Sequence, residues 1–222
     1  MNLARILNLN MTKILTIDQG TTSSRSIVFD SNADIVEMSQ NEYPLIYPQD
    51  GWVEIDPETL IKSVIDSLSG VNLDDIASAA ITNQRETTII WERDTGKPIY
   101  NAIVWQDRRT ADICKNLKKK GFEKIFRKKT GLFIDPYFSG TKIKWILEKV
   151  KQSKKLIKEN NLLFGTVDTF LIWNLTNRKQ HLTDATNASR TLIYNINSNK
   201  WDAEILKKLK IPKSILPEVK NS

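Results

Sequence analysis

The chain has 222 residues, 40% of them hydrophobic and 27% charged, with eight glycines and seven prolines, which excludes a disordered, collagen-like or low-complexity chain. The net charge of +7 is uneven, since residues 115–158 carry 15 Lys/Arg against three Asp/Glu; without interleaved aromatic residues or a zinc-finger or RNP-like motif, this zone reads as a solvated helical face and no nucleic-acid partner is expected. One cysteine, Cys114, and one histidine, His181, leave no internal disulfide and no cluster of thiolates or imidazoles for a metal.

Residues 1–12 read as an extension ahead of a folded domain over 13–222, with Met11 as a second possible start. They lack the apolar centre of a secretory signal, and no run approaches the ~18 apolar residues of a membrane span, so a cytoplasmic location is expected. Lys13 to Asp18 predicts a strand, Gln19 to Ser24 a hydroxyl-rich turn, and Arg25 to Asp30 and Ile35 to Glu42 two further strands. Short connections make these three an antiparallel meander. After an irregular loop containing Pro44, Pro48 and Gly51, Asp56-Pro57 signals a helix start, and Leu60, Ile61, Val64, Ile65 and Leu68 recur at helical spacing. Strands follow at Ile76 to Thr82, Thr87 to Glu92 and Ile99 to Trp105, the last two joined by a turn at Arg93 to Pro98. Helices are expected from Arg108 to about Val150, broken at Gly121, Gly131 and Asp135-Pro136. Leu162 to Phe164 and Leu192 to Ile196 read as strands, Thr166 to Asn174 as a short buried helix with Asp168 as a cap, and Asp202 to Leu209 as a helix. This mixture is an α/β pattern.

Neither a P-loop nor a G-x-G-x-x-G fingerprint is present, so a nucleotide would need another cradle. The segment Asp18-Gln-Gly-Thr-Thr-Ser-Ser-Arg25 has the parts: Gly20 for close backbone approach, hydroxyls at Thr21, Thr22 and Ser23, a cation at Arg25, and Asp18 as a Mg²⁺ carboxylate. It reads equally as an ordinary hydroxyl-rich hairpin turn. Arg85-Glu86, set between two apolar runs, offers donors and acceptors to a polyol, or is a surface charge pair at a strand end. Tyr137 in Ile134-Asp-Pro-Tyr-Phe-Ser-Gly-Thr-Lys142 could pack on a carbon chain while bonding an oxygen, or satisfy a helix start; Trp105 could wall the same pocket or sit in the core.

In order along the chain, Asp18 to Arg25, Gly51-Trp-Val-Glu54, Ile81-Thr-Asn-Gln-Arg-Glu-Thr-Thr88, Gly96 to Gln106, Ile134 to Lys142, Gly165-Thr-Val-Asp168 and Thr183-Asp-Ala-Thr-Asn-Ala-Ser-Arg190 together resemble the glycerol kinases of the FGGY carbohydrate kinase family. The resemblance runs from about Lys13 to Val219. It implies an actin/hexokinase-like (ribonuclease H-like) ATPase fold, with a mixed sheet and flanking helices, as an incomplete first domain. By motif, Thr21, Thr22 and Ser23 would meet the phosphates of ATP, Arg25 the transferring end and Asp18 the Mg²⁺. Arg85, Glu86 and Tyr137 would hold glycerol, and the reaction would be ATP-dependent formation of glycerol 3-phosphate. The family's catalytic base is an Asp in a Gly-Asp-Gln stretch that this sequence does not contain, so no catalytic base is assigned here. The alternative implied is an inactive or split-enzyme fragment that at most binds glycerol or phosphate. Expected partners are glycerol, ATP or ADP, and either a second copy or a complementing C-terminal half.

Overall fold

The structure, a computed structural model, describes residues 13–222; the extension expected at 1–12 lies outside the described residues. In chain order these form β1 (Lys13–Gln19), β2 (Ser23–Phe29), β3 (Ile35–Glu42), β4 (Glu54–Ile55), α1 (Pro57–Ser69), β5 (Ile76–Asn83), β6 (Ile89–Glu92) and β7 (Ala102–Ile103). There follow α2 (Ala111–Lys119), α3 (Glu123–Thr130), α4 (Ser139–Lys149), α5 (Ser153–Lys158), β8 (Leu162–Gly165) and α6 (Val167–Leu175). The last elements are β9 (Leu182–Asp184), α7 (Ala185–Ala188), β10 (Tyr194–Asn195), β11 (Lys200–Trp201), α8 (Ala203–Leu209) and β12 (Glu218–Lys220). The chain divides into two units, one holding the residues to Pro44 with Glu58–Asn83, the other Leu45–Pro57 with Gln84–Ser222.

In the first unit β1, β2 and β3 form the expected antiparallel meander. β1 also pairs in parallel with β5, so the sheet is mixed, in the order β3-β2-β1-β5. Alternation along β1 buries Leu15 and Ile17 and leaves Thr16 and Asp18 half-exposed, as a strand with one covered face must. Leu60 and Val64 of α1 are buried too. Two hydroxyl pairs tie α1 to β2: Ser24 Oγ to Ser63 Oγ at 2.7 Å and Ser26 Oγ to Ser67 Oγ at 2.8 Å. Ser63 and Ser67 already donate to the carbonyls of Leu60 and Val64. A hydroxyl has one proton, so the strand serines are the donors across this interface.

The second unit is richer in helices. Its core gathers Ile143, Ile146 and Leu147 of α4, Leu162 and Phe164 of β8, and Ile205, Leu206 and Leu209 of α8, with Phe126 and Ile134. The helix breaks expected at Gly121 and Gly131 occur, both at positive φ (75° and 74°), and the Gly131 N–H closes α3 onto the Arg127 carbonyl. Lysines 115, 118, 119, 124, 128, 154 and 155 are exposed, the solvated face that the charge run suggested.

Three expectations change. The hairpin from Thr87 to Trp105 is held by isolated bridges, Thr88 with Ile103 and Trp91 with Pro98, while β6 pairs instead with β8 and β7 with β4. The cause lies at Tyr100 and Asn101, whose side chains turn to the Glu54 carboxylate at 2.7 and 2.8 Å. Second, the strand expected at Leu192 to Ile196 shrinks to Tyr194–Asn195, with Leu192 at φ 67°, outside the range of a strand. Third, Thr166 rather than Asp168 is the N-cap residue of α6. Asp168 lies inside the first turn, where it accepts the hydroxyls of Thr166 and Thr183 and burial pushes its pKa up to about 6.

Two buried cations organise the second unit. The Arg109 side chain is wholly enclosed, donating to Glu54 Oε1 at 2.8 Å and Asp107 Oδ2 at 2.7 Å. Its guanidinium lies 3.8 Å from the Trp52 ring centre and 4.9 Å from that of Trp145. Lys142, in the first turn of α4, is also fully buried and donates to the carbonyls of Pro136 (2.8 Å) and Tyr137 (2.6 Å). Burial lowers its pKa to about 7 against the pull of Asp107 and Glu86.

Arg109→Leu would strand two buried carboxylates, a loss of about 3–5 kcal/mol; urea unfolding followed by circular dichroism should show it, and a change below about 1 kcal/mol would refute the keystone role. Between pH 7 and 10.5 the unfolded chain binds more protons at Lys142 than the folded one, so this group makes stability rise with pH. Cys114, whose pKa burial raises from 9.0 to about 11, acts in the opposite direction above pH 9. The slope of urea stability between pH 7 and 9 should therefore be steeper in the parent chain than in Lys142→Met, by at most about 1.4 kcal/mol per pH unit.

Candidate functional site

The predicted site residues fall into two groups, one in each unit. In the first unit the turn between β1 and β2 is tighter than expected, because Gln19, Ser23 and Ser24 belong to the strands. The Gly20 N–H donates to the Ser23 carbonyl at 2.9 Å and closes the turn. From behind, the Gly20 carbonyl accepts Gln19 Nε2 (2.6 Å) and the Tyr43 hydroxyl (2.5 Å), while Tyr43 N–H donates to the Thr22 carbonyl (3.0 Å). Thr22 is exposed, Thr21 half-buried and Ser23 buried. Asp18 and Arg25 face each other across the β1–β2 ladder and are joined, Nη1 to Oδ2, at 3.1 Å. Arg25 Nε donates in addition to Gln40 Oε1 at 2.8 Å. Hydroxyls, a braced glycine turn and a partly exposed guanidinium are a donor set that fits phosphate oxygens. For Mg²⁺ the fit is narrower. The described residues contain no group of three or more His, Cys, Asp or Glu able to hold a metal, so Asp18 would be a single carboxylate sharing the ion with phosphate and water.

In the second unit, Arg85-Glu86-Thr87 forms a turn the sequence does not announce. Thr87 N–H donates to the Arg85 carbonyl at 2.8 Å around Glu86, whose φ is 67°. This is a γ-turn of the strained, positive-φ kind, in a region that a glutamate rarely enters. Arg85 is exposed, whereas Glu86 is buried. The Glu86 carbonyl accepts the hydroxyls of Ser139 (2.9 Å) and Thr88 (3.2 Å), and its Oε1 accepts Arg190 Nε at 2.6 Å. The Arg190 guanidinium lies 5.0 Å from the Phe138 ring centre and 5.8 Å from that of Tyr137. Tyr137 N–H is held by Asp135 Oδ1 (2.9 Å), and Lys142 grips the Tyr137 carbonyl. Trp105 is half-buried, with its ring 5.6 Å from that of Tyr137. Glu86 and Tyr137 are thus linked through Arg190, with an aromatic wall beside them.

Sequence reasoning did not single out Arg190, Ser139 or Lys142, which the structure places in contact with Glu86 or Tyr137. Arg190 closes the stretch Thr183 to Arg190, but nothing local connects it with a partner 104 residues earlier.

The FGGY family of carbohydrate kinases, N-terminal domain, matches residues 13–222. A glycerol kinase of Shewanella amazonensis is 57% identical over 215 residues, which cover 94% of this chain and 43% of that protein. One from Borrelia duttonii is 57% identical over 218 residues, covering 96% and 44%. Among solved structures, Plasmodium falciparum glycerol kinase with ADP superposes with a TM-score of 0.85 at 37% identity, covering 95% of this chain and 43% of that one. Gluconate kinase from Lactobacillus acidophilus gives 0.83 at 27% identity, covering 95% and 42%. The chain therefore spans less than half the length of these relatives. Its mixed sheet with flanking helices is the actin/hexokinase-like fold of the carbohydrate kinases. By sequence and by fold, the chain belongs to the FGGY family of carbohydrate kinases.

Proposed function

We propose that this chain supplies the polyol-binding wall and the phosphate-binding turn of an ATP-dependent kinase that converts glycerol to glycerol 3-phosphate. The observation that carries this reading is 54–57% identity to bacterial glycerol kinases across at least 94% of the chain. The polar groups suit the substrate. Glycerol is short and carries three adjacent hydroxyls, so it needs donors and acceptors at close quarters and little apolar surface. Glu86 Oε2, with no partner among the described residues, is the acceptor; Arg85 is the donor; Tyr137 offers a hydroxyl and a ring face.

Thr21, Thr22 and Ser23 would hold phosphate oxygens, Arg25 the transferring end, and Asp18 the Mg²⁺. Bound MgATP supplies the phosphoryl group and the cation that neutralises its charge. In-line transfer of this kind depends on positioning and charge stabilisation more than on covalent help from the protein. The work of these residues is therefore to hold a primary hydroxyl still and to keep phosphate charge covered.

A second reading is binding of glycerol without turnover, or turnover only with a complementing polypeptide; the chain spans 43–44% of the length of these relatives. One experiment separates the two. ADP release from MgATP is followed with and without glycerol, alongside calorimetric titration of glycerol into the same folded sample. Glycerol-dependent ADP that falls at least about tenfold in Arg85→Ala and in Glu86→Gln supports the kinase, each loss corresponding to about 1.4 kcal/mol or more. Glycerol binding with no ADP favours the second reading, and a folded chain that does neither overturns both.

A further inference from the structure

We infer that Arg190 is the positioning residue of the polyol-binding wall: its Nε holds Glu86 Oε1, and its guanidinium lies over Phe138 and Tyr137, so that Glu86 Oε2 is turned to accept a substrate hydroxyl. The inference rests on the glycerol reading above and adds a residue to it.

Four observations meet at this point. The Arg190–Glu86 contact, 2.6 Å long, joins a buried carboxylate to a guanidinium that is itself only 29% exposed, a setting where a charge-assisted bond is strong and little screened. Glu86 occupies a strained γ-turn, and a backbone so placed persists only where its surroundings over-determine it. Those surroundings form a closed circuit. Glu86 O accepts Ser139 Oγ; the adjoining Gly140 N–H donates to Thr191 O at 2.7 Å; and Arg190, next to Thr191, returns to Glu86. Gly140 makes the approach possible, since a Cβ there would sit 3.0 Å from the Thr191 carbonyl oxygen. The backbone of Arg190 is fixed in turn: its N–H donates to the Asn187 carbonyl at the end of α7, a turn that Asp184 caps through Asn187 N–H at 2.7 Å.

With one carboxylate oxygen held by a planar guanidinium, the direction of the other is set. Lysine in place of Arg190 keeps the charge and loses the planar geometry; glutamine keeps a donor and loses the charge. Neither touches glycerol in this arrangement, and both act only through Glu86 and the Tyr137 ring.

The test is a double-variant cycle read by calorimetric titration of glycerol into the 222-residue chain, with thermal melting of each variant by circular dichroism. Arg190→Gln should weaken binding about ten- to a hundredfold, as expected for loss of a charge-assisted bond, and Arg190→Lys less. The pair Glu86→Gln with Arg190→Gln should bind no more weakly than Glu86→Gln alone, to within about twofold, because the two act as a unit. Where turnover is measured, KM rises and kcat changes little. Affinity within about threefold of the parent in Arg190→Gln, or losses that multiply in the double variant, would overturn the inference while leaving the glycerol reading intact. If Arg190→Gln does not fold, Arg190→Lys carries the same cycle. A parent chain that binds no glycerol removes the substrate reading and this inference with it.

Discussion

The second unit depends on a guanidinium with nowhere else to go. Arg109 is enclosed between two carboxylates and stacked on tryptophan, and removing such a charge from water costs several kcal/mol before any contact repays it. The repayment is collective. Glu54 takes Tyr100 and Asn101 as well as Arg109, and Asp107 takes the Val53 N–H at 2.7 Å. This cluster fastens β4 to β7 and sets the direction in which the chain runs on toward Trp105. Trp145, an Arg109 contact, lies on α4, the helix whose first turn carries Ser139 and Lys142. The site walls therefore inherit their positions from a core that is polar at its centre.

The first unit uses a softer device. Neutral hydroxyl pairs between β2 and α1 satisfy buried oxygens without charge, and the glycine turn before β2 is braced by Gln19 and Tyr43. Neither unit needs a disulfide: Cys114 is buried, and its raised pKa keeps it a thiol.

Much of this was legible in the sequence wherever the signal was local. The meander, the amphipathic α1, the breaks at Gly121 and Gly131 and the hydroxyl-rich turn before β2 each rest on residues within a few positions of one another, whereas the Tyr43 brace on that turn comes from far along the chain. The parallel pairing of β1 with β5 and the three-residue strands β9 and β12 are long-range and short, so no periodicity reports them. The candidate site divided in the same way. Arg85, Glu86 and Tyr137 stand out by type and motif, whereas the γ-turn at Glu86 has no glycine to signal it. Lys142 looks like any surface lysine of its basic neighbourhood until folding encloses it. Arg190 is informative only beside its distant carboxylate.

The restraint on Glu86 has a thermodynamic consequence. Its carbonyl is bonded, its φ is fixed and one carboxylate oxygen is occupied before any ligand arrives. The rotamer entropy of a glutamate, about 1.5–2 kcal/mol, is thus given up when the chain folds and not when a polyol binds. On the proposed glycerol reading, a small ligand with few atoms to contribute would meet a preorganised acceptor, and its weak gross interaction would survive as net affinity.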